Sequence, residues 1–284
     1  MTSPPSLRTP LFTAVALVAF AGNSLLCRLA LRSHSIDAAS FSAVRLAAGA
    51  GMLALLLHWR QASAPRQTGS WISGGYLLLY AVPFSFAYVS LSAGTGALLL
   101  FGAVQLTMVL VAIRRGQRPG TVQCIGLLVA FGGLAYLCLP GITAPSPVGA
   151  ALMLVAGIGW GLYSLRGHGS ADALGQTAGN FARTIPLVLV VWLVASPSVH
   201  LEPGGILWAL LSGAVTSGLG YAIWYKALPH LSSVTAAAVQ LAVPLLAGVG
   251  GILLLDEEFT LRLAMASVLI LGGIGVTIIG RARS

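Results

Sequence analysis

Two glutamines stand in matching strings, Ala103-Val104-Gln105-Leu106 and Ala238-Val239-Gln240-Leu241, each inside a long apolar run. An amide offers two N–H donors and a carbonyl acceptor. Such a pair at mid-membrane can bond the carboxylate and the ammonium of a zwitterion without a buried countercharge, or it can tie helices together. Arg45 and Arg183 form a second matched pair in apolar surroundings. A guanidinium in hydrocarbon is costly and demands a purpose: it attracts a solute carboxylate, or it caps the carbonyl ends of neighbouring helices and fixes the bundle. Asn23 and Asn180 are further amide candidates. Among the aromatics, Tyr76, Tyr80, Phe84 and Tyr88 recur every four residues and trace one helical stripe; Tyr80, Phe84 and Tyr88 are read as pocket residues beside the plain packing role. Trp160 and Tyr163 lie one turn apart, as do Tyr221 and Trp224. These four can wall a cavity and stack on an amphipathic guest.

The elements that must position these side chains follow from composition. The chain has 284 residues, 57% hydrophobic and 7% charged. Soluble domains carry about 25% charged residues, so lipid is the solvent. Apolar stretches of the roughly 20 residues that cross a bilayer fall at about 10–31, 38–58, 71–92, 95–114, 119–139, 146–166, 174–195, 204–227, 232–253 and 259–280. They are continuous rather than alternating, which predicts helices and not a β-barrel. The fold class is therefore an all-α polytopic membrane protein with ten transmembrane helices.

The net charge of +9 raises nucleic acid as a partner, and its distribution removes that reading. Arg8, Arg60, Arg66, Arg114, Arg115, Arg118, Arg166, Lys226, Arg281 and Arg283 all fall at the termini or in even-numbered loops. This is the positive-inside bias, and it predicts both termini in the cytoplasm. Arg28, near a helix end, is expected to snorkel, and Asp256-Glu257-Glu258 is expected in an outer loop. The longest loop, roughly 59–70 with Pro65, is too short to fold alone. Arg8 before an apolar run resembles a signal peptide, but the run continues to Leu31, so it is read as the first span.

No acid lies deep in a span, so proton coupling through a buried carboxylate is not expected. Asp37 and Asp172 flank helix starts, where a negative charge suits the helix dipole. Cys27, Cys124 and Cys138 have no metal-ligand spacing, and His34, His58, His168, His200 and His230 fall at span ends or in loops. No Ser-His-Asp set lies at membrane depth and no Walker or dinucleotide motif is present, so the chain is read as a non-enzyme with no metal and no cofactor. Trp59, Trp71, Trp192 and Trp208 fit an interfacial belt.

The matched strings recur at an offset of roughly 135–140 residues: Leu17-Val18-Ala19-x-x-Gly22 with Leu154-Val155-Ala156-x-x-Gly159, Tyr88 and Leu91 with Tyr225 and Leu228, Gly132-Gly133 with Gly272-Gly273. Each copy holds an odd number of spans, so the halves 1–143 and 144–284 are expected as inverted five-helix repeats in one membrane domain. Pro83, Pro186 and Pro244 interrupt spans three, seven and nine and are the predicted hinges.

Glu257-Glu258-Phe259-Thr260-Leu261 with Leu269-Ile270-Leu271-Gly272-Gly273-Ile274-Gly275-Val276, and Gly116-Gln117-Arg118-Pro119 with Gln123, Gly126-Leu127-Leu128 and Gly132-Gly133, resemble the drug/metabolite transporter superfamily, specifically its EamA-like ten-helix members. Arg45 and the Tyr88–Leu91 stretch fit as well, and the resemblance covers essentially the whole chain. It implies a monomeric alternating-access transporter in the bacterial inner membrane, with substrate in a cavity between the repeats. Within the family the chain is similar to exporters of amino acids, aromatic ones included, working as a facilitator. The alternatives are a multidrug or nucleotide-sugar-type carrier and, in another class, an intramembrane lipid-modifying enzyme. The expected partners are a small-molecule substrate and membrane lipids.

Overall fold

A computed structural model describes residues 8–60, 69–117, 119–167, 170, 172–195, 199–231 and 233–282. Pro65, Arg66, Arg118, His168 and Arg283 lie outside the described residues. Seven helices run in succession: α1 (Arg8–Arg32), α2 (Ala38–Trp59), α3 (Trp71–Tyr88), α4 (Ala93–Arg114), α5 (Thr121–Cys138), α6 (Pro147–Gly167) and α7 (Ala173–Ala195). Polar side chains start them where the hydrophobic runs begin. Asp37, Ser70 and Ser92 cap α2, α3 and α4 by accepting from Ser40, Ser73 and Thr95 N–H groups. Among the described residues nine helical stretches are long and apolar enough to cross a membrane. The remaining span-length helix, α3, which carries tyrosines, serines and glycines, is not among them.

The chain departs from ten plain rods in two places. The predicted span 204–227 is α8 (Pro203–Leu210), a π-helical stretch (Leu211–Leu219) and α9 (Gly220–Ala227). The predicted span 232–253 is α10 (Ser233–Gln240) and α11 (Ala242–Leu255), broken at Leu241, before α12 (Leu261–Ala282). Pro244 sits in the first turn of α11 and has no N–H to offer the Gln240 carbonyl four residues back, so the helix stops at the glutamine. Pro83 and Pro186, by contrast, lie inside continuous helices.

Small residues let these helices approach closely, the packing available where lipid is as apolar as leucine. A Cβ at Gly126 of α5 would strike Gly273 and Thr277 of α12, one at Gly159 of α6 would strike the backbone of α3, and one at Gly213 of the π stretch would strike the Arg45 carbonyl of α2. The halves interlock: α6 packs on α3 and α4, while α1 packs on α8, α9 and α11. Short connections group the loops at two ends. At one end Arg60 pairs with Asp172 at 2.7 Å and Arg166 Nε donates to Ser73 Oγ at 3.2 Å. At the other, the backbone of Ile36 pairs with that of Leu201, and Asp37 N–H donates to the His200 carbonyl at 3.1 Å.

Arg28 and Glu257 correct the sequence expectation. Arg28 does not snorkel. Its Nε meets Glu257 at 3.2 Å, and Nη1 donates to the Tyr88 and Val89 carbonyls at 3.0 and 3.1 Å. Glu257 also accepts from Ala93 N–H at 2.8 Å, at the N-terminus of α4. The loop acid is thus folded back into a joint between α1, α4 and the α11–α12 turn.

Candidate functional site

A cavity of about 820 Å³ runs from mid-bundle to the end formed by the even-numbered loops. Its wall is built by α4, α5, α6, α9, α10 and α12, with Phe20 from α1. Gln105 lines it from α4, Trp160 and Tyr163 from α6, Tyr221 and Trp224 from α9, and Gln240 from the broken end of α10. Toward the mouth lie Arg115, Gln117, Gly167 and Leu231. The sequence therefore placed six of its candidates on one surface.

The deep end is an aromatic box. Trp160 and Tyr221 stack with centroids 5.3 Å apart and planes 18° from parallel. Tyr163 lies 5.5 Å from Trp160, and Phe20 lies 5.7 and 5.9 Å from Tyr221 and Trp224. Ring contacts of this kind hold the walls rigid and leave flat faces toward a guest. Gln240 Nε2 donates to the Ala236 carbonyl at 3.0 Å.

Beyond this box lies an inner pocket of about 20 Å³, lined by Asn23, Ser24, Tyr80, Phe84, Thr216 and Ser217, with Phe20, Trp160, Tyr221 and Gln240 shared between the two. Its floor is a polar chain. Arg45 Nη2 donates to Tyr80 Oη at 2.9 Å, Asn23 Nδ2 donates to the same oxygen at 3.1 Å, and Ser212 Oγ donates to Asn23 Oδ1 at 2.6 Å. Arg45 is 2% exposed, and its guanidinium carbon lies 4.7 Å from the Phe84 centroid and 5.2 Å from that of Tyr80. It caps no helix carbonyl among the described residues; it rests on two rings.

Three expected site residues stand elsewhere. Tyr88 is fully buried behind Phe84, at 4.8 Å between centroids, and donates to the Ala93 carbonyl at 3.3 Å. Asn180 accepts from Ser70 N–H at 2.9 Å and donates to Tyr163 Oη at 3.4 Å, so it braces the cavity wall from behind. Arg183 donates to the Gly179 carbonyl at 2.9 Å and lies 5.8 Å from the Trp71 ring, at the end of the bundle. It is not the structural equal of Arg45. Likewise Trp192 is no simple belt residue: its indole donates to Ser40 Oγ at 2.9 Å.

The sequence reading missed Phe20 and Tyr225, which line the cavity, and the Ser212, Thr216 and Ser217 group. Their signal was the Ser212–Thr216 spacing of one turn beside the glycines at 213, 218 and 220. The Thr216 hydroxyl donates back to the Ser212 carbonyl at 2.8 Å, a bond that competes with regular helix.

The profile of the EamA-like transporter family matches residues 147–279. An uncharacterized protein of Pseudomonas aeruginosa is 50% identical over 281 residues, covering 98% of each chain. Uncharacterized transporters of Bacillus subtilis and Archaeoglobus fulgidus are 23% and 24% identical, over 85% and 70% of this chain and 87% and 73% of theirs. A solved crystal structure superposes with a TM-score of 0.65 at 19% identity, covering 93% of this chain and 98% of its own, which speaks for the fold. With its apolar helices packed around a central cavity, the chain belongs to the EamA-like transporter family and is a multi-pass membrane transporter of small molecules.

Proposed function

We propose that the chain exports amino acids, aromatic ones included, across a bacterial inner membrane by alternating access. The observation that carries this reading is the cavity itself: about 820 Å³, within the size range of small-molecule sites, with flat aromatic faces at its deep end and the amides of Gln105 and Gln240 on its wall. Rings suit the side chain of the solute, and amides suit its charged ends.

Support for two inverted five-helix units, 1–143 and 144–284, comes from which helices pair. α5 packs on α12 and α2 on α7, and the α3–α6 and α4–α6 contacts have counterparts between α8–α9 and α1 and between α11 and α1. Each contact has the partner that a two-fold axis in the membrane plane would generate. Arg115, Gly167 and Tyr225 line the cavity, next in sequence to Arg114, Arg166 and Lys226, in the basic stretches expected to face cytoplasm under the positive-inside rule. The opposite end is closed by Arg28–Glu257 and the Ile36–Leu201 pairing. On this reading the arrangement corresponds to an inward-facing state of a single chain with both termini in the cytoplasm.

All six acids of the chain stand at helix ends or in loops, which favours a facilitator over a carrier driven through a membrane-embedded carboxylate. Proteoliposomes loaded with labelled phenylalanine test the proposal. Saturable efflux that survives a proton uncoupler supports it. Efflux of an organic cation with a proton countercurrent, and none of the amino acid, refutes it.

A further inference from the structure

Among the described residues Arg45 is the most deeply buried formal charge, 2% exposed, and it has no acidic ion-pair partner. Its Nε and Nη1 are buried without a hydrogen-bond partner among the described residues, and Ser217 Oγ on the inner pocket is in the same condition. A guanidinium has five N–H donors, and leaving them unmet in a low-dielectric interior is costly. The Phe84 and Tyr80 rings offset part of that cost. Only Nη2 has a described acceptor, the Tyr80 hydroxyl.

Of the two rings against Arg45, both on the inner pocket, Tyr80 is the one whose hydroxyl holds Nη2. It lies 4.9 Å from Trp160, which lines the main cavity and the inner pocket alike. It sits three residues before Pro83, which has no N–H for the Leu79 carbonyl, so α3 is least tied where Tyr80 must move.

We propose that Arg45 is a carboxylate subsite: the carboxylate of the solute displaces the Tyr80 hydroxyl and takes Nη1 and Nη2 end-on. This rests on the cavity being the solute path. It assigns the substrate class as a monocarboxylate with an apolar body, since one cation and two rings match a planar monoanion and a phosphate dianion would want a second cation. The displacement also frees Asn23 Nδ2 from Tyr80. Asn23 accepts from Ser212 on the π-helical stretch, so occupancy of the subsite is passed to that stretch.

The test uses the purified full chain in detergent and reads the thermal midpoint with four probes: phenylalanine, phenylalanine amide, 3-phenylpropionate and inorganic phosphate. Phenylalanine and 3-phenylpropionate raise the midpoint; the amide and phosphate do not. Tyr80→Phe removes the competing hydroxyl and tightens both carboxylates about tenfold. Arg45→Gln removes discrimination between acid and amide, and raises the midpoint of the unliganded protein because a buried unpaired charge is gone. A structural Arg45 would give the opposite shift. If 3-phenylpropionate acts and phenylalanine does not, the subsite stands and the amino-acid reading falls. If phenylalanine and its amide act equally, or Arg45→Gln keeps the discrimination, the subsite falls and the amino-acid reading stands. No response to either carboxylate, or an equal response to phosphate, overturns the subsite.

Discussion

Replacing Glu257 with glutamine should open the closed end of the bundle. Glu257 bonds Arg28 Nε at 3.2 Å and Ala93 N–H at 2.8 Å, and the Arg28 and Glu257 side chains are 16% and 9% exposed. An exposed pair is worth about 0–1 kcal/mol and breaking a fully buried one costs about 3–5 kcal/mol. Here Arg28 keeps the Tyr88 and Val89 carbonyls and the glutamine can still accept from Ala93, so about 2 kcal/mol is the reasonable loss. If the joint exists only in the inward-facing state, that loss shifts the balance toward the outward-facing state by about 30-fold. The assay removes Cys27, Cys124 and Cys138 and introduces Ser24→Cys. Ser24 lies one turn inside Arg28, 2% exposed, on the inner pocket. A membrane-impermeant thiol reagent added outside should label Cys-substituted position 24 much faster in Glu257→Gln than in its parent. An unchanged labelling rate, in a variant that is expressed and folded, would refute the gating role of this joint.

Further outcomes follow from the cavity. Trp160→Ala removes the stack on Tyr221, a contact worth about 0.5–1.5 kcal/mol beyond its area; the apparent KM for phenylalanine should rise about tenfold in proteoliposome efflux, with a smaller rise for alanine, and equal rises would contradict stacking. Gln105→Ala and Gln240→Ala should each lower efflux without lowering expression; unimpaired efflux in both, and in Trp160→Ala, would remove the site assignment. Gly126→Leu should force α5 off Gly273 and Thr277 of α12 and cost about 1–3 kcal/mol or more, read as a lower thermal midpoint in detergent. Asp172→Asn should have little effect on stability, since Arg60 is 39% exposed.

Much of this arrangement was legible in the residues. Unbroken apolar runs in so uncharged a chain have few solutions besides membrane helices, and the run ends coincide with capping residues such as Asp37, Ser70 and Ser92. The aromatic and glutamine candidates met on one cavity because each was a polar or amphipathic group at mid-span, where lipid offers it nothing. Four features were hidden. The π-helical stretch and the break at Leu241 leave the hydrophobic pattern unchanged, because both still place apolar side chains toward lipid. Arg45 and Arg183 read as equals from the repeat, but Trp71 offers its ring to Arg183 near the bundle end while Arg45 meets Tyr80 and Phe84 at its centre. Glu257 read as a loop acid; only the fold brings Arg28 and the start of α4 to it from 229 and 164 positions away.

The claim on which the account rests is that solute passes through the cavity walled by Gln105, Trp160 and Tyr221. A chain lacking its native cysteines and carrying Gln105→Cys can be reconstituted and then modified with a bulky thiol reagent from the side at which the cavity opens. Labelled phenylalanine efflux should be present before modification and fall to the level of protein-free liposomes once position 105 is fully modified. Efflux that persists at full modification would contradict it.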